Sequence, residues 1–343
     1  MKKLIIMFLL LVFPTMTFAG NELYVFNFSE YMPDWIVTEF HRETRIKIIH
    51  ASYDSNEAMY AKIKILRGRG YDIVVPSTFY VDRMSKEGLL QPLDKSKIPN
   101  FKNIDPALLN KASDPENKYS VPYLWGTTGL CINSEKVNPD TIKSWKDLWK
   151  PEFKGKVLLI DDIREVFGMG LKVMGYSIND TDPKHLEQAY QKLKLLIPNV
   201  RVFTAEMLIQ PFLNQEVVIG MNWNGDVFRS SRENPKIKFI YPEEGLMVWV
   251  DSMAIPQEAK NIDNAYKFIE FMLRPENARR LCEETGYSTP NKEAIKLMKQ
   301  DLQENKTIFP DPAILQKSEF FADVGSAVVE YQRYWEKLKT GNK

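Results

Sequence analysis

Trp249 and Asp251 stand two residues apart in GLMVWVDSMAIP, residues 245–256. The apolar run around them reads as a β-strand, in which residues i and i+2 share a face. A ring beside a carboxylate suits one kind of ligand. The ring covers methylene groups and offers its negative face to a cation, while the carboxylate accepts hydrogen bonds from an ammonium group.

The same pairing recurs where other apolar runs stop. VLLIDDIREVF ends a strand on Asp161 and Asp162 and starts a helix, with Glu165 three residues after Asp162. That spacing also fits a capping box, with Asp162 as N-cap and Glu165 as its N3 partner. The two readings coexist, because a helix N-terminus keeps carboxylates ionised and the strand-to-helix junction is where open α/β sheets bind ligands. GMNWNGDVF places Trp223 before a glycine turn, with Asn222, Asn224 and Asp226 interleaved. A ring there can also lid the core, since tryptophan is rarely fully buried. NFSEYMP sets Phe28, Ser29, Glu30 and Tyr31 after the first strand. VPSTFY sets Ser77 and Phe79 after the third, and TGYSTPN holds Tyr287 in a turn. A cleft gathering these rings and acids would select a flexible alkyl chain carrying several positive charges. Charged hydrogen bonds at about 1.5–3 kcal/mol each and cation–π contacts at about 0.5–2 kcal/mol each reach micromolar affinity with three or four contacts.

Other chemistries fit less well. Asp162 and Glu165 as a glycosidase-like acid and base would lie three residues apart at a helix start, a spacing better suited to capping and to holding one amine. His41, His50 and His185 lack metal-ligand spacing, and no G-x-S-x-G nucleophile elbow occurs. Tyr31 and Tyr287 are a pair of the type that ferric-ion binders use, but the tryptophan–carboxylate pattern favours an organic cation.

The elements that must carry these residues alternate between strand and helix, the pattern of α/β layers. ELYVFNF, RIKIIHA and YDIVVPS read as strands around the helical patterns DWIVTEFHRET and SNEAMYAKIKILRGRG, the latter with a serine start and a glycine stop. GKVLLID, EVVIGMNW and KIKFIYPEEG repeat the pattern in the second half, around the helical stretches DIREVFGMGLKVMGY and HLEQAYQKLKLLIPN. Later helices follow, ending in SAVVEYQRYWEKLK with Val328, Tyr331, Trp335 and Leu338 on one face. No Pro/Gly/Ser-rich joint separates two units. YLWGTTGLCINS and MVWVDSMAIP are instead the candidate strands that cross between two lobes.

The chain opens MKKLIIMFLLLVFPTMTFAG, which reads as a secretory signal peptide over residues 1–19. The apolar run is too short to cross a bilayer comfortably. Removing it changes the net charge from +1 to −1. That balance argues against nucleic acid as a partner, because phosphate binding needs an excess of Lys and Arg. Cys131 and Cys282 are the only cysteines. They fit one long-range disulfide in an oxidising compartment or two buried thiols, the reading that their small apolar character favours.

Over essentially the whole mature chain, the sequence resembles the periplasmic spermidine/putrescine-binding proteins that feed polyamine ABC importers. The likeness is carried by SEYMP, SNEAMYAKIK, YDIVVPSTFYVDRMSKEG, SVPYLWGTTGL, SWKDLWKPEFKGKVLLIDDIREVF, WNGDVF, WVDSMAIP, GYSTPN and ADVG. It implies an α/β, two-lobe, type II periplasmic-binding-protein fold, each lobe a mixed sheet flanked by helices and joined by two crossing strands. The implied lobes are residues 21–128 with 255–304, and 129–254 with 305–343. It also implies hinge closure over a polyamine, no catalysis and no cofactor. The expected partner is an inner-membrane ABC permease, the expected compartment the periplasm, and the expected state a monomer. A sensor that reports polyamine to a membrane receptor is the alternative. By resemblance, Tyr31, Asp162, Glu165, Trp223, Trp249, Asp251 and Tyr287 match ligand-contacting positions, and Ser29, Glu30 and Ser77 match flanking polar ones. Three positions depart from the pattern: Phe28 where Trp is usual, Phe79 where Tyr is, and Phe321 where Gln is. Each exchange deletes a hydrogen-bonding handle, which leaves the choice of polyamine open.

Overall fold

A computed structural model describes residues 21–341. The predicted signal peptide lies outside them. ELYVFNF becomes β1 (Glu22–Phe28), and the chain returns through α1 (Asp34–Thr44) to a parallel neighbour, β2 (Lys47–Tyr53). Helix α2 (Asn56–Leu66) starts on the predicted serine: the Ser55 hydroxyl accepts from the Ala58 N–H at 3.2 Å. Its stop comes one residue before the predicted glycine, with Arg67 in the left-handed conformation at φ 52°. β3 (Ile73–Val74) is far shorter than its apolar run, since Pro76 has no N–H to continue a ladder. Helix α3 (Thr78–Lys86) follows directly.

The long β4 (Ser120–Asn133) leads into the second half. There β5 (Val157–Ile160), α4 (Ile163–Val173) and α5 (Pro183–Lys194) precede β6 (Val200–Thr204) and the short α6 (Ile209–Leu213). Then come β7 (Ile219–Trp223), α7 (Asn224–Glu233), β8 (Ile237–Ile240) and β9 (Met247–Ala254). Helices α8 (Ile262–Met272) and α9 (Pro275–Thr285) follow. The chain closes with β10 (Glu319–Phe320) and a C-terminal helix, Val328–Thr340.

Among the described residues the strands run β2-β1-β3-β9-β4-β7-β5-β6, with β10 beside β9 and β8 beside β4. The two crossing strands make this order intelligible. β4 and β9 pair antiparallel from Ser120↔Ala254 to Thr128↔Met247, with a register shift at Pro122/Leu124. The end of β9 carries β3 at Val74↔Ala254, next to β1 and β2. The other end of β4 carries β7 and β8 through Thr128↔Trp223 and Leu130↔Ile240. Each lobe therefore has its own parallel strands, β1–β3 in one and β5–β7 in the other, fastened antiparallel to shared strands.

The C-terminal helix buries Tyr331, Tyr334, Trp335 and Leu338 against α4 and α5, while Val328 in its first turn is only partly covered. Cys131 and Cys282 are both buried free thiols, on β4 and α9. Burial pushes both pKa values up, that of Cys282 to about 12, which leaves them unreactive.

Candidate functional site

The residues that the resemblance assigns to the cleft, and Asp226, line one cavity of about 430 Å³ between the lobes, whereas Asp161, Asn222 and Asn224 do not. The walls come from the carboxyl ends of parallel strands: β1 leads to Phe28, Ser29, Glu30 and Tyr31, β3 to Ser77 and Phe79, β5 to Asp162 and Glu165, and β7 to Trp223. Such ends are where open α/β sheets leave room for ligands. β9 supplies Trp249 and Asp251 across the floor, and Tyr287 follows α9.

Asp251 is 3% exposed and doubly held. Its Oδ1 accepts from the Ser77 hydroxyl at 2.6 Å, and its Oδ2 accepts from the Tyr31 hydroxyl at 2.8 Å. Burial raises its pKa to about 6, against the pull of those two hydrogen bonds. Trp249 shares this wall, at 5.2 Å and 70° from the Tyr287 ring. Glycines give both rings their space. Gly126 pairs with Trp249 across β4 and β9, and a Cβ there would lie 2.3 Å from the indole. A Cβ on Gly225 would lie 2.4 Å from the Tyr287 ring.

Asp162 is the N-cap of α4, its Oδ1 accepting from the N–H groups of Arg164 at 2.7 Å and Glu165 at 3.0 Å. The reciprocal half of the predicted capping box does not form. Glu165 turns inward, where its Oε1 accepts from Thr128 Oγ1 at 2.7 Å and Trp223 Nε1 at 3.0 Å. Its Oε2 is buried and finds no donor among the described residues. Burial, then the nearby Asp162, push the Glu165 pKa up to about 8. From the opposite lobe, Glu57 accepts from the Tyr80 hydroxyl at 2.9 Å. Burial and Asp162 raise it to about 7. Charging a buried carboxyl is costly, so in the empty cleft these groups favour their protonated form, and a cation beside them would favour the ionised one.

Sequence reasoning passed over two arginines: Arg164 lines the slot, and Arg229 holds two of its lining acids from behind. Arg164 is enclosed by rings, its guanidinium carbon 5.4 Å from the Phe79 centroid, 5.3 Å from Phe321 and 5.4 Å from Tyr331. It donates to the Ala322 carbonyl at 3.0 Å and Asn179 Oδ1 at 2.8 Å. Two of the residues that depart from the resemblance, Phe79 and Phe321, thus clamp an internal cation, while Phe28 packs on Tyr31 and Tyr53. Arg229 on α7 binds carboxylates directly, those of Asp226 and Glu30.

Further lining residues, 52–56 and 205–208, lie at the end of β2 and just past the end of β6. The strand-end signal that marks the other walls reaches them too: Tyr53 and Asp54 close one run, Glu206 the other. Asp54 and Glu206 come within hydrogen-bonding reach across the mouth, which raises the Glu206 pKa. Arg164 and Arg229 carry no such signal, because a cation in an acid-rich motif reads as a surface charge.

The chain is similar to known proteins over most of its length. Residues 35–310 match the family described as bacterial extracellular solute-binding protein. The spermidine/putrescine-binding periplasmic protein of Escherichia coli is 48% identical over 322 residues, 94% of this chain and 92% of that one. A putrescine-binding periplasmic protein of the same organism is 33% identical, covering 95% of this chain and 94% of its own length. A solved structure, a putative spermidine/putrescine ABC transporter from Listeria monocytogenes, superposes with a TM-score of 0.89 at 37% identity, over 94% of this chain and 100% of that one.

Proposed function

The chain belongs to the bacterial extracellular solute-binding proteins, and on that premise we propose that its cleft captures a polyamine of the spermidine or putrescine class for delivery to an ABC permease. The observation that carries the ligand class is the unsatisfied Glu165 Oε2, buried beside Asp162 and walled by Trp223. A protonated amine supplies the missing donor and lowers the cost of ionising the buried acid, and the indoles cover its methylenes. Asp251, Asp162 and Glu165 hold ammonium groups in this reading, while Tyr31, Trp223, Trp249 and Tyr287 enclose the chain between them.

The tyrosines are poor candidates for ferric iron. Tyr31 and Tyr287 donate their hydroxyl protons to different carboxylates, Asp251 at 2.8 Å and Asp226 at 2.7 Å. Burial raises both phenol pKa values, which disfavours the phenolate a metal needs.

The lobes, residues 21–128 with 255–304 and 129–254 with 305–343, hinge where β4 and β9 cross and close over the ligand. The mature protein acts as a periplasmic monomer after cleavage of residues 1–19. Isothermal titration with putrescine, cadaverine, norspermidine, spermidine and spermine tests the ligand class; no heat with any of them would refute it. Pull-down from membranes tests the partner: a permease is expected, and recovery of a receptor kinase or cyclase instead would favour the sensor.

A further inference from the structure

We infer that Arg229 is a specificity-determining residue: its guanidinium serves as a built-in cation at the Glu30–Asp226 end of the slot, so that the cleft is tuned to diamines over triamines. This rests on the polyamine reading above. Arg229 Nη2 donates to Asp226 Oδ1 at 2.6 Å and also to Glu30, and Nη1 donates to the Thr285 carbonyl at 2.6 Å. The guanidinium lies 5.6 Å from the Tyr287 ring, whose hydroxyl takes the other oxygen of Asp226. Carboxylates, ring and carbonyl are the surroundings a ligand ammonium would seek, and a fixed charge of the same sign occupies them. Glu30 belongs to one lobe and α7 to the other, so the contact also bridges the cleft.

Arg164 makes no ion pair with its neighbouring acids: its Nη groups donate to the Ala322 carbonyl and the Asn179 amide oxygen, and its buried Nε finds no acceptor among the described residues. Beyond it the slot ends on Phe79 and Phe321, rings with no acceptor to offer an amine. Inside the slot two ammonium positions remain between these ends, one at Asp162 and Glu165 and one at Asp251, while Asp54 and Glu206 meet each other at the mouth and Glu57 accepts from Tyr80. A diamine fills both. A third ammonium directed toward Glu30 meets Arg229.

Titration of the wild-type mature chain with putrescine, cadaverine and spermidine at one ionic strength reads this without any substitution. Spermidine is expected to bind no tighter than the better diamine. Arg229→Met keeps the length and removes the charge. It should shift the spermidine-to-diamine preference toward spermidine by about tenfold or more, the factor worth one charged hydrogen bond. Adding Glu30→Gln to that variant should take the gain away. Tighter wild-type binding of spermidine than of either diamine, or an unchanged preference in a folded Arg229→Met protein, overturns the role of Arg229 and leaves the polyamine reading intact. Binding of no amine overturns both.

Discussion

Arg164 and Arg229 stand at opposite ends of one anionic slot and are used in opposite ways. Arg164 turns its Nη groups to the Ala322 carbonyl and the Asn179 amide and its faces to aromatic rings, with its Nε left unpartnered among the described residues. Its charge still lowers the pKa of Asp162 and Glu165 against the rise that burial causes, but it makes no ion pair with either, and Glu165 Oε2 finds no donor among the described residues. Arg229 spends its donors on Asp226 and Glu30, and it lowers the pKa of both acids against the rise that burial causes. The difference teaches that counting charges around a cleft does not say where a cation binds. What decides is which carboxylates already have a partner when the cleft is empty.

That contrast can be broken first by removing the acids that have no cationic partner. Glu165→Ala or Asp251→Ala should each cost about 2–5 kcal/mol of polyamine binding, as expected on losing one side of a buried charge pair. Titration calorimetry measures it, and near-wild-type affinity would remove these acids from the ligand's reach. Asp226→Ala should show the opposite signature. It leaves Arg229 short of a partner and lowers unfolding stability by about 1–3 kcal/mol in a denaturant titration, with a smaller effect on ligand affinity.

Acidity sharpens the same comparison. Glu165 and Asp251 have pKa values raised to about 8 and about 6 in the empty cleft, so the folded protein holds protons there that an unfolded chain would release. Stability of the empty protein should therefore fall as pH rises from the ordinary carboxylate range toward 8. An amine favours the ionised form, so binding should release protons and strengthen with pH, by up to about tenfold per unit for one linked proton. Calorimetry in buffers of different ionisation enthalpy reads the release; a buffer-independent heat at pH 7 would contradict it. Phe79→Leu is the mildest test. It removes one ring from the Arg164 clamp and should cost about 0.5–1 kcal/mol of stability, visible as a small drop in melting temperature.

Much of the fold is legible in short runs. The alternation from ELYVFNF onward predicts strands and helices that form, and Ser55 and Asp162 cap the helices they precede. β3 is less legible, because its apolar run contains the proline that shortens it. The same limit applies at the site. Asp162 caps α4 as D-x-x-E spacing suggests, yet Glu165 abandons its half of the box for Thr128 and Trp223, partners 37 and 58 residues away. Phe79 and Phe321 look like lost polar handles until Arg164 is found between them.

The alternating elements and the concentration of rings and acids at strand ends follow from local sequence, since each depends on neighbours within one element. Only the tertiary structure decided which acids are free. Glu30 meets Arg229 across 199 residues, and Tyr31 meets Asp251 across 220. Whether a buried carboxylate is satisfied depends on donors that the fold, and not the local chain, brings within hydrogen-bonding distance.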